Sequence, residues 1–513
     1  MKNKFYIILL VILIPTALVF AQEKFLAKVG NEEISALELK KRFEFTPKIK
    51  SDLDSSKVEF LYSIMAEKLW ALEAKSMSMD TIPYVYNSVK NIERKLIKDK
   101  LYKIEIESKV VVDESEIAED LPKANEKRIV NFIFSKRESE IDSLYNLLLS
   151  GEKIDSVLQG RIEKNEQKDG IPVIYGQMDE EIETEIFSLK LNQFSKPIPA
   201  NVGWVIYILK NIEFNQATTE SQISANRKKV EETIFDRKAK VFYNEFFNKY
   251  VKGIVVNTDR QLFRSLVDNI FNLFADKYES LYNKNTKKYQ LDEYQIRKVK
   301  NSYSKEILAT DLIKFELAPI SLEKYLTNLE LNGLITNKMS KWDISEALSA
   351  NIKAYIFDEI IFREGFSRGL QNSSEIQNEL KIWKESFLAS YFRYTYLDSV
   401  ETDEMQAKDY YNKIISENPD SANRTYDEVK EKIKSGLYFK ELENLYIDKT
   451  VSLAKKYGIS VNSDVLNSIK VTNVEMMVYR ILGFGGQITA VPFSQSFYKW
   501  KNWLPKSLKE LLP

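Results

Sequence analysis

Apolar residues recur at spacings of three and four over long stretches of this chain, the mark of amphipathic helices. The spacing predicts helices over Lys57–Ser76, Tyr84–Lys109, Glu220–Lys252 and Tyr426–Tyr457. Phe25–Val29 instead alternates and runs into the turn-like Gly30-Asn31. Ser35 and Glu38 then stand at capping-box spacing ahead of a helix, so the expectation there is strand, turn, capped helix. Segment 127–212 lies between these helices and is read as an insert of a different class. The fold class expected is mainly α with an α+β insert.

The same helical order recurs. Glu67–Ser76 reappears as Asp358–Ser367, 291 residues on, and Val112–Glu116 as Thr402–Gln406, 290 on. Gly253-Ile-Val-Val-Asn-Thr-Asp259 returns as Gly458-Ile-Ser-Val-Asn-Ser-Asp464, only 205 on. The shortfall of 85 residues matches the 86 residues of segment 127–212, so the second copy reads as the same module without the insert. The organisation expected is a leader over 1–21, the first part of a helical module over 22–126, the insert over 127–212, and a returning helix over 213–260. A helical connector over 261–304, a second module over 305–470 and a Gly/aromatic tail over 471–513 complete it.

The leader has Lys2 and Lys4 before an apolar run from Phe5 to Phe20, with small residues Val19 and Ala21 ahead of a cleavage point at Ala21/Gln22. Export follows, with an uncleaved N-terminal membrane tether as the alternative. In the tail, Gly483-Phe-Gly-Gly486 lacks the Lys-Ser/Thr of a phosphate loop and reads as a turn. The aromatics after it, Phe493 to Trp503, read as a strap docked on the second module, the alternative being an exposed client site.

Composition narrows the chemistry. The chain has no His and no Cys, which removes disulfides, thiolate zinc sites, a lipoprotein cysteine, the Ser-His-Asp triad and the commonest metal ligand. No calcium-loop pattern occurs, so neither a metal nor a cofactor is expected. Lys plus Arg and Asp plus Glu are both 75, a balance that argues against a nucleic-acid partner. Phe and Tyr, 28 each, are abundant enough to serve both helix packing and apolar contact with other chains.

The Gly-Gln-Met turn, the apolar helix ending at Phe187 and the following Gly203-Trp-Val-Ile resemble the parvulin-type (PpiC) peptidyl-prolyl isomerases. The flanking helices resemble the chaperone module of SurA-type periplasmic folding factors. The resemblance implies a four-stranded sheet domain carried by SurA-like helical modules, here duplicated, with a first strand Arg128–Ser135, a helix Glu138–Leu149, the turn Tyr175-Gly-Gln-Met178, a helix ending at Phe187 and a last strand Gly203–Lys210. Its histidine positions are matched by Asn131 and Val205, and its proline pocket by Met178 and Ile182, with Phe187 as core. Loop Gln159–Ile174, where the family carries a cysteine or aspartate, offers Glu163, Glu166 and Asp169. Rotation about an X-Pro bond crosses a barrier near ~20 kcal/mol, and only groups that favour the twisted amide lower it. With no catalytic residue identified, the resemblance implies a folding factor of the periplasm that binds unfolded exported chains, outer-membrane β-barrel proteins among them, through a degenerate isomerase domain. An active isomerase and a structural subunit of an envelope assembly are the alternatives.

Overall fold

The computed structural model describes residues 25–47, 52–158, 170–214, 217–316, 318–417, 424–474 and 477–512. The leader with its Ala21/Gln22 cleavage point, and the loop acids Glu163, Glu166 and Asp169, lie outside the described residues.

The chain opens with the hairpin β1 (Ala27–Val29) and β2 (Glu32–Ile34), followed by α1 (Ala36–Glu44). Ser35 Oγ accepts the Glu38 amide at 3.0 Å, but the Glu38 carboxylate turns away to Lys68, so only half of the expected box forms. Helix α2 (Leu53–Ser76) is buried on all sides over residues 60–71, with Leu61, Ile64, Leu69 and Trp70 fully covered. Helix α3 (Pro83–Glu105) starts on a proline, whose missing N–H is no loss in a first turn. Helix α4 (Glu114–Ala124) carries a complete Asp113/Glu116 box.

The insert follows as β3 (Glu126–Ser135), α5 (Glu138–Leu149), α6 (Ile154–Leu158), β4 (Ile171–Ile174), α7 (Glu180–Ser188), β5 (Ile198–Ala200) and β6 (Gly203–Phe214). Its strands form one antiparallel sheet in the order β4-β3-β6-β5. A Cβ on Gly203 would lie 2.4 Å from the Ser135 carbonyl oxygen, which is why β6 begins with glycine. The long α8 (Glu220–Tyr250), capped by Thr219 and Gln222, returns along α4 and ends in β7 (Asn257–Thr258).

Next come α9 (Arg260–Phe274), β8 (Tyr282–Asn283), β9 (Lys288–Leu291), α10 (Glu293–Asn301), α11 (Lys305–Leu308), β10 (Asp311–Lys314), β11 (Ile320–Ser321), α12 (Leu322–Asn332) and β12 (Leu334–Thr336). Then follow α13 (Lys341–Ser367), α14 (Ser374–Tyr394), α15 (Glu404–Glu417), α16 (Tyr426–Tyr457) and β13 (Ile459–Val461). The order hairpin, capped helix, three helices, long returning helix, closing strand therefore occurs twice. The stretch read as a connector supplies Leu266, Ile270, Leu291 and Ile296 to one core shared with α12 and the first half of α13.

The two repeats cross over. The strand that closes the first, β7, pairs with β10 of the second through Thr258↔Ile313. The strand that closes the second, β13, pairs with β1 through Ala27↔Val461 and Val29↔Ile459. Helices α14 and α16 accordingly bury Leu388, Phe392, Val451 and Ala454 in the same core as α2.

After β13 come α17 (Ser463–Ser468), the hairpin β14 (Tyr479–Ile481) and β15 (Gln487–Thr489), and α18 (Lys506–Lys509). The glycine cluster is the turn of that hairpin. A Cβ on Gly483 would sit 1.9 Å from Tyr102, and this close approach seats Phe484 among Leu101, Ala239, Phe246 and Ile361. The aromatic strap docks on α2 as well as on α16. Trp500 is fully buried and donates to the Tyr62 carbonyl at 3.2 Å, the Phe497 amide donates to Ser63 Oγ at 2.9 Å, and Lys499 pairs with Glu443. Docking on the second module alone, the sequence expectation, is thus replaced by a surface drawn from both repeats. Beneath the strap, Arg42 and Lys68 are buried with Glu38, Glu67, Glu385 and Ser494 in a mixed ion cluster. Among the described residues no helix is long and apolar enough to cross a membrane.

Candidate functional site: one face of the inserted sheet

Residues paired across antiparallel strands share a face, and faces alternate along each strand. The pairs Asn131↔Ile208 and Ile133↔Ile206 therefore lie on one side of the sheet, where Ile133, Ile206 and Ile208 pack with Ile141 and Leu148 of α5. The pairs Val130↔Leu209, Phe132↔Tyr207 and Phe134↔Val205 lie on the other, the side covered by α7.

This register divides the expected site. Val205, Met178 and Ile182 belong to the α7 side, Met178 and Ile182 packing with Val130, Leu209 and Tyr207. Asn131 does not join them. Its side chain is buried on the opposite side, its Oδ1 has no hydrogen-bond partner among the described residues, and it faces the backbone at Gly170. A bulge between Ile129 and Val130 sets which parity of β3 faces α7, and a shift of one residue exchanges the faces. The first-strand residues beside Val205 are Phe132 and Phe134, which the sequence reading passed over. The signal was available, since Val130, Phe132 and Phe134 form the apolar parity of that strand.

The α7 side is thus lined by Phe132, Phe134, Val205, Tyr207, Met178 and Ile182. Phe134 is 39% exposed and Val205 only 8%, so the face opens toward the β5 end of β6. Of the six, Tyr207 alone carries a polar side-chain group, and burial raises the pKa of its phenol, which stays protonated near neutrality.

Charged groups hold α7 in place. Buried Glu183 accepts the Gly176 amide at 2.6 Å and pairs with Arg237 of α8 at 2.6 Å. Arg128 donates to the Ile186 and Leu189 carbonyls at 2.9 Å each and lies over the Phe187 ring. The insert docks through Tyr175 and Phe187, which pack with Ile117 of α4 and Val230 and Ile234 of α8. The Tyr175 hydroxyl donates to Asp120 at 2.5 Å, and burial together with that carboxylate pushes its pKa far up.

A second concave surface lies between the repeats, a cleft of about 1130 Å³ bounded by α3, α10, α12 and α14. Tyr84, Tyr294, Tyr391 and Tyr394 line it beside Arg297 and Glu330. Tyr84 stacks on Tyr391 at 6.0 Å, while Tyr294 and Tyr394 are more than half exposed.

Residues 118–225 match the family model of the PPIC-type PPIASE domain. The insert is a PpiC-type, parvulin-like domain. Its match reaches into α4 and the start of α8, the two helices that clasp it. Among solved structures the chain is similar to the peptidylprolyl isomerase PrsA of Bacillus anthracis, at 18% identity over 37% of this chain and 96% of that one, with a TM-score of 0.21. It is similar also to PrsA of Bacillus subtilis, at 16% identity over 47% and 96%, TM-score 0.16. A third similar structure comes from the work on PEB4 and Cj1289, two SurA-like chaperones of Campylobacter jejuni, at 14% identity over 40% and 87%, TM-score 0.17. No curated protein matches the chain.

Proposed function

We propose that this protein is a periplasmic folding factor that holds unfolded exported polypeptides, outer-membrane β-barrel proteins among them, and that its PpiC-type domain binds prolyl segments with little or no catalysis. The observation that carries this reading is the composition of the α7 side of the sheet: five apolar residues and one phenol, in a chain without histidine. Such a surface grips a proline ring. It lacks the set of placed polar groups that would favour the twisted amide over the planar one, and binding both equally gives affinity without rate. The tyrosine-lined cleft between the repeats supports the holding role, because rigid aromatic side chains contact unfolded segments at small entropic cost. Two assays on one preparation test the proposal: isomerisation of a short X-Pro peptide, and suppression of aggregation of a urea-diluted outer-membrane β-barrel protein. Slow turnover with clear protection is expected; absence of protection would reject the folding-factor reading.

A second reading rests on Tyr207. Its phenol lies on the proline-gripping side and stays protonated, so it could donate one hydrogen bond to a reacting amide. If the domain turns over substrate through this group, Tyr207→Phe abolishes the activity while peptide affinity is kept.

A further inference from the structure

Residues 256–356 form a lobe with a core of its own, in which Leu291, Leu334 and Ile344 are buried. At one end of the lobe the sheet β12-β9-β8 projects the turn 284–287, which joins β8 to β9. Asn283 Oδ1 accepts the Asn285 and Thr286 amides at 3.0 and 3.2 Å, and Lys287 takes the left-handed conformation at φ 54°, so the turn has a fixed shape. It carries Lys284, Lys287 and Lys288. Register brings a fourth cation to the same end: Thr336 of β12 stands opposite Tyr289, and the chain then continues past the start of β9 to Lys338. The Thr336 hydroxyl donates to the Lys338 carbonyl at 2.9 Å and ties that segment to the strand. All four lysines are exposed and in no ion pair among the described residues. Neither residues 283–288 nor residues 334–340 contain an acid, so a chain with no net charge gathers a local cationic excess here.

Aromatic side chains stand beside these cations. Trp342, four residues after Lys338 in the first turn of α13, is 74% exposed, the most exposed of the six tryptophans. The reach of the chain keeps its Cα within about 14 Å of that of Lys338. Tyr282, the first residue of β8, is exposed as well, with its ring 5.2 Å from that of Tyr289. Ile335 is exposed on the face of β12 opposite to that of the buried Leu334 and Thr336. Trp342 belongs to none of the apolar clusters of the described residues, so its indole does no packing work for the lobe.

We propose that this end of the lobe docks on the surface of a bilayer that contains anionic phospholipid. The lysines attract headgroup phosphates across a Debye length of about 8 Å at physiological salt. On contact, Trp342 and Tyr282 enter the interfacial layer, where amphipathic rings are favoured. Cations alone would suit any polyanion; the exposed indole beside them is what points to a bilayer. The inference is independent of the client-holding reading, and it puts the protein on a membrane surface without a spanning helix among the described residues.

Vesicle flotation tests this with the chain from Gln22 onward, which keeps every described residue and lacks the apolar run 5–20 that would itself enter a bilayer. Binding is expected to vesicles of phosphatidylglycerol and phosphatidylcholine in equal parts, not to phosphatidylcholine alone, and is expected to fall as salt is raised. Lys284→Gln with Lys287→Asn and Lys288→Gln should weaken it by about tenfold or more, Asn being chosen because it tolerates the positive φ at that position. Trp342→Ala, a second and independent surface variant, should weaken it severalfold while leaving the salt dependence as it was. Far-UV circular dichroism should be the same for all three proteins. No binding by the wild type, equal binding to both kinds of vesicle, or binding unchanged by the lysine variant overturns the proposal. So does loss with the lysine variant but none with Trp342→Ala, or capture of inorganic polyphosphate or polyglutamate in preference to vesicles, because the partner is then a soluble polyanion.

Discussion

Lys68 is the cation that bridges Glu38 and Glu385 in the buried ion cluster. Its ammonium lies 2.5 Å from Glu385 and 3.2 Å from Glu38, at 2% exposure. Burial opposes its charge, but Glu38 and Glu385 hold its pKa above the ordinary lysine value. Burial pushes the Glu385 carboxyl up, with Lys68 pulling the other way. Lys68→Met keeps most of the volume and removes the charge, leaving two carboxylates facing each other in a low-dielectric site. Removing one partner of a buried pair costs about 3–5 kcal/mol, and we expect that loss at neutral pH. The sign of the pH dependence follows from Glu385. A carboxyl with a raised folded-state pKa binds more protons folded than unfolded, so stability falls as pH rises through that pKa and returns on acidification. Without Lys68 the rise is larger, and the deficit is greatest at neutral pH and shrinks toward the ordinary carboxylate range near about 4. Urea unfolding followed by the fluorescence of Trp70, in the same core, measures this at neutral and mildly acidic pH. A deficit under about 1 kcal/mol, or one that does not change with pH, refutes the reasoning. Adding Glu385→Gln to Lys68→Met should recover part of the loss, because Glu38 then no longer faces a second charged carboxylate across the vacated lysine site.

Trp500→Ala should cost about 3–5 kcal/mol in the same urea assay, since it empties a fully enclosed indole site on α2; a loss below about 1 kcal/mol would show that the strap is not part of that core. Excision of residues 127–212 with a short linker should leave far-UV circular dichroism strongly helical while exposing Ile117, Val230 and Ile234 to a hydrophobic dye, and collapse of the helical signal would contradict this. Turnover of a short X-Pro peptide should stay near the uncatalysed rate, whereas parvulin-like efficiency that Met178→Ala removes would make the protein an enzyme.

Local structure was legible in the sequence where local rules decide it. Periodicity located α2, α3, α8 and α16, and the parvulin-like strands and helices lie where the family resemblance put them. The internal offsets pointed to helices that recur in the same order in both halves, while the second hairpin and the closing strands emerge only from the fold. What escaped was pairing at long range. Nothing in Ile459–Val461 states that its partner is β1, because an alternating strand of three residues fits any open edge. The face of Asn131 was hidden for a related reason, since a single bulge at Ile129/Val130 decides the parity of the strand. The half-made box at Ser35 shows tertiary demand overriding a local motif: Glu38 has the right spacing for the cap and is taken by Lys68.

The crossed closing strands have a consequence for how the chain comes to be folded at all. Ala27 waits for Val461, 434 residues later, before its sheet is complete. A chain delivered N-terminus first therefore presents α2, the most apolar helix of its first repeat, long before α14, α16 and the strap arrive to cover it. Loop closure over such a span is slow compared with local helix formation. The chain thus passes, on every round of its own synthesis, through a stage in which this apolar surface is uncovered, and the order in which its segments emerge is part of what its sequence had to solve.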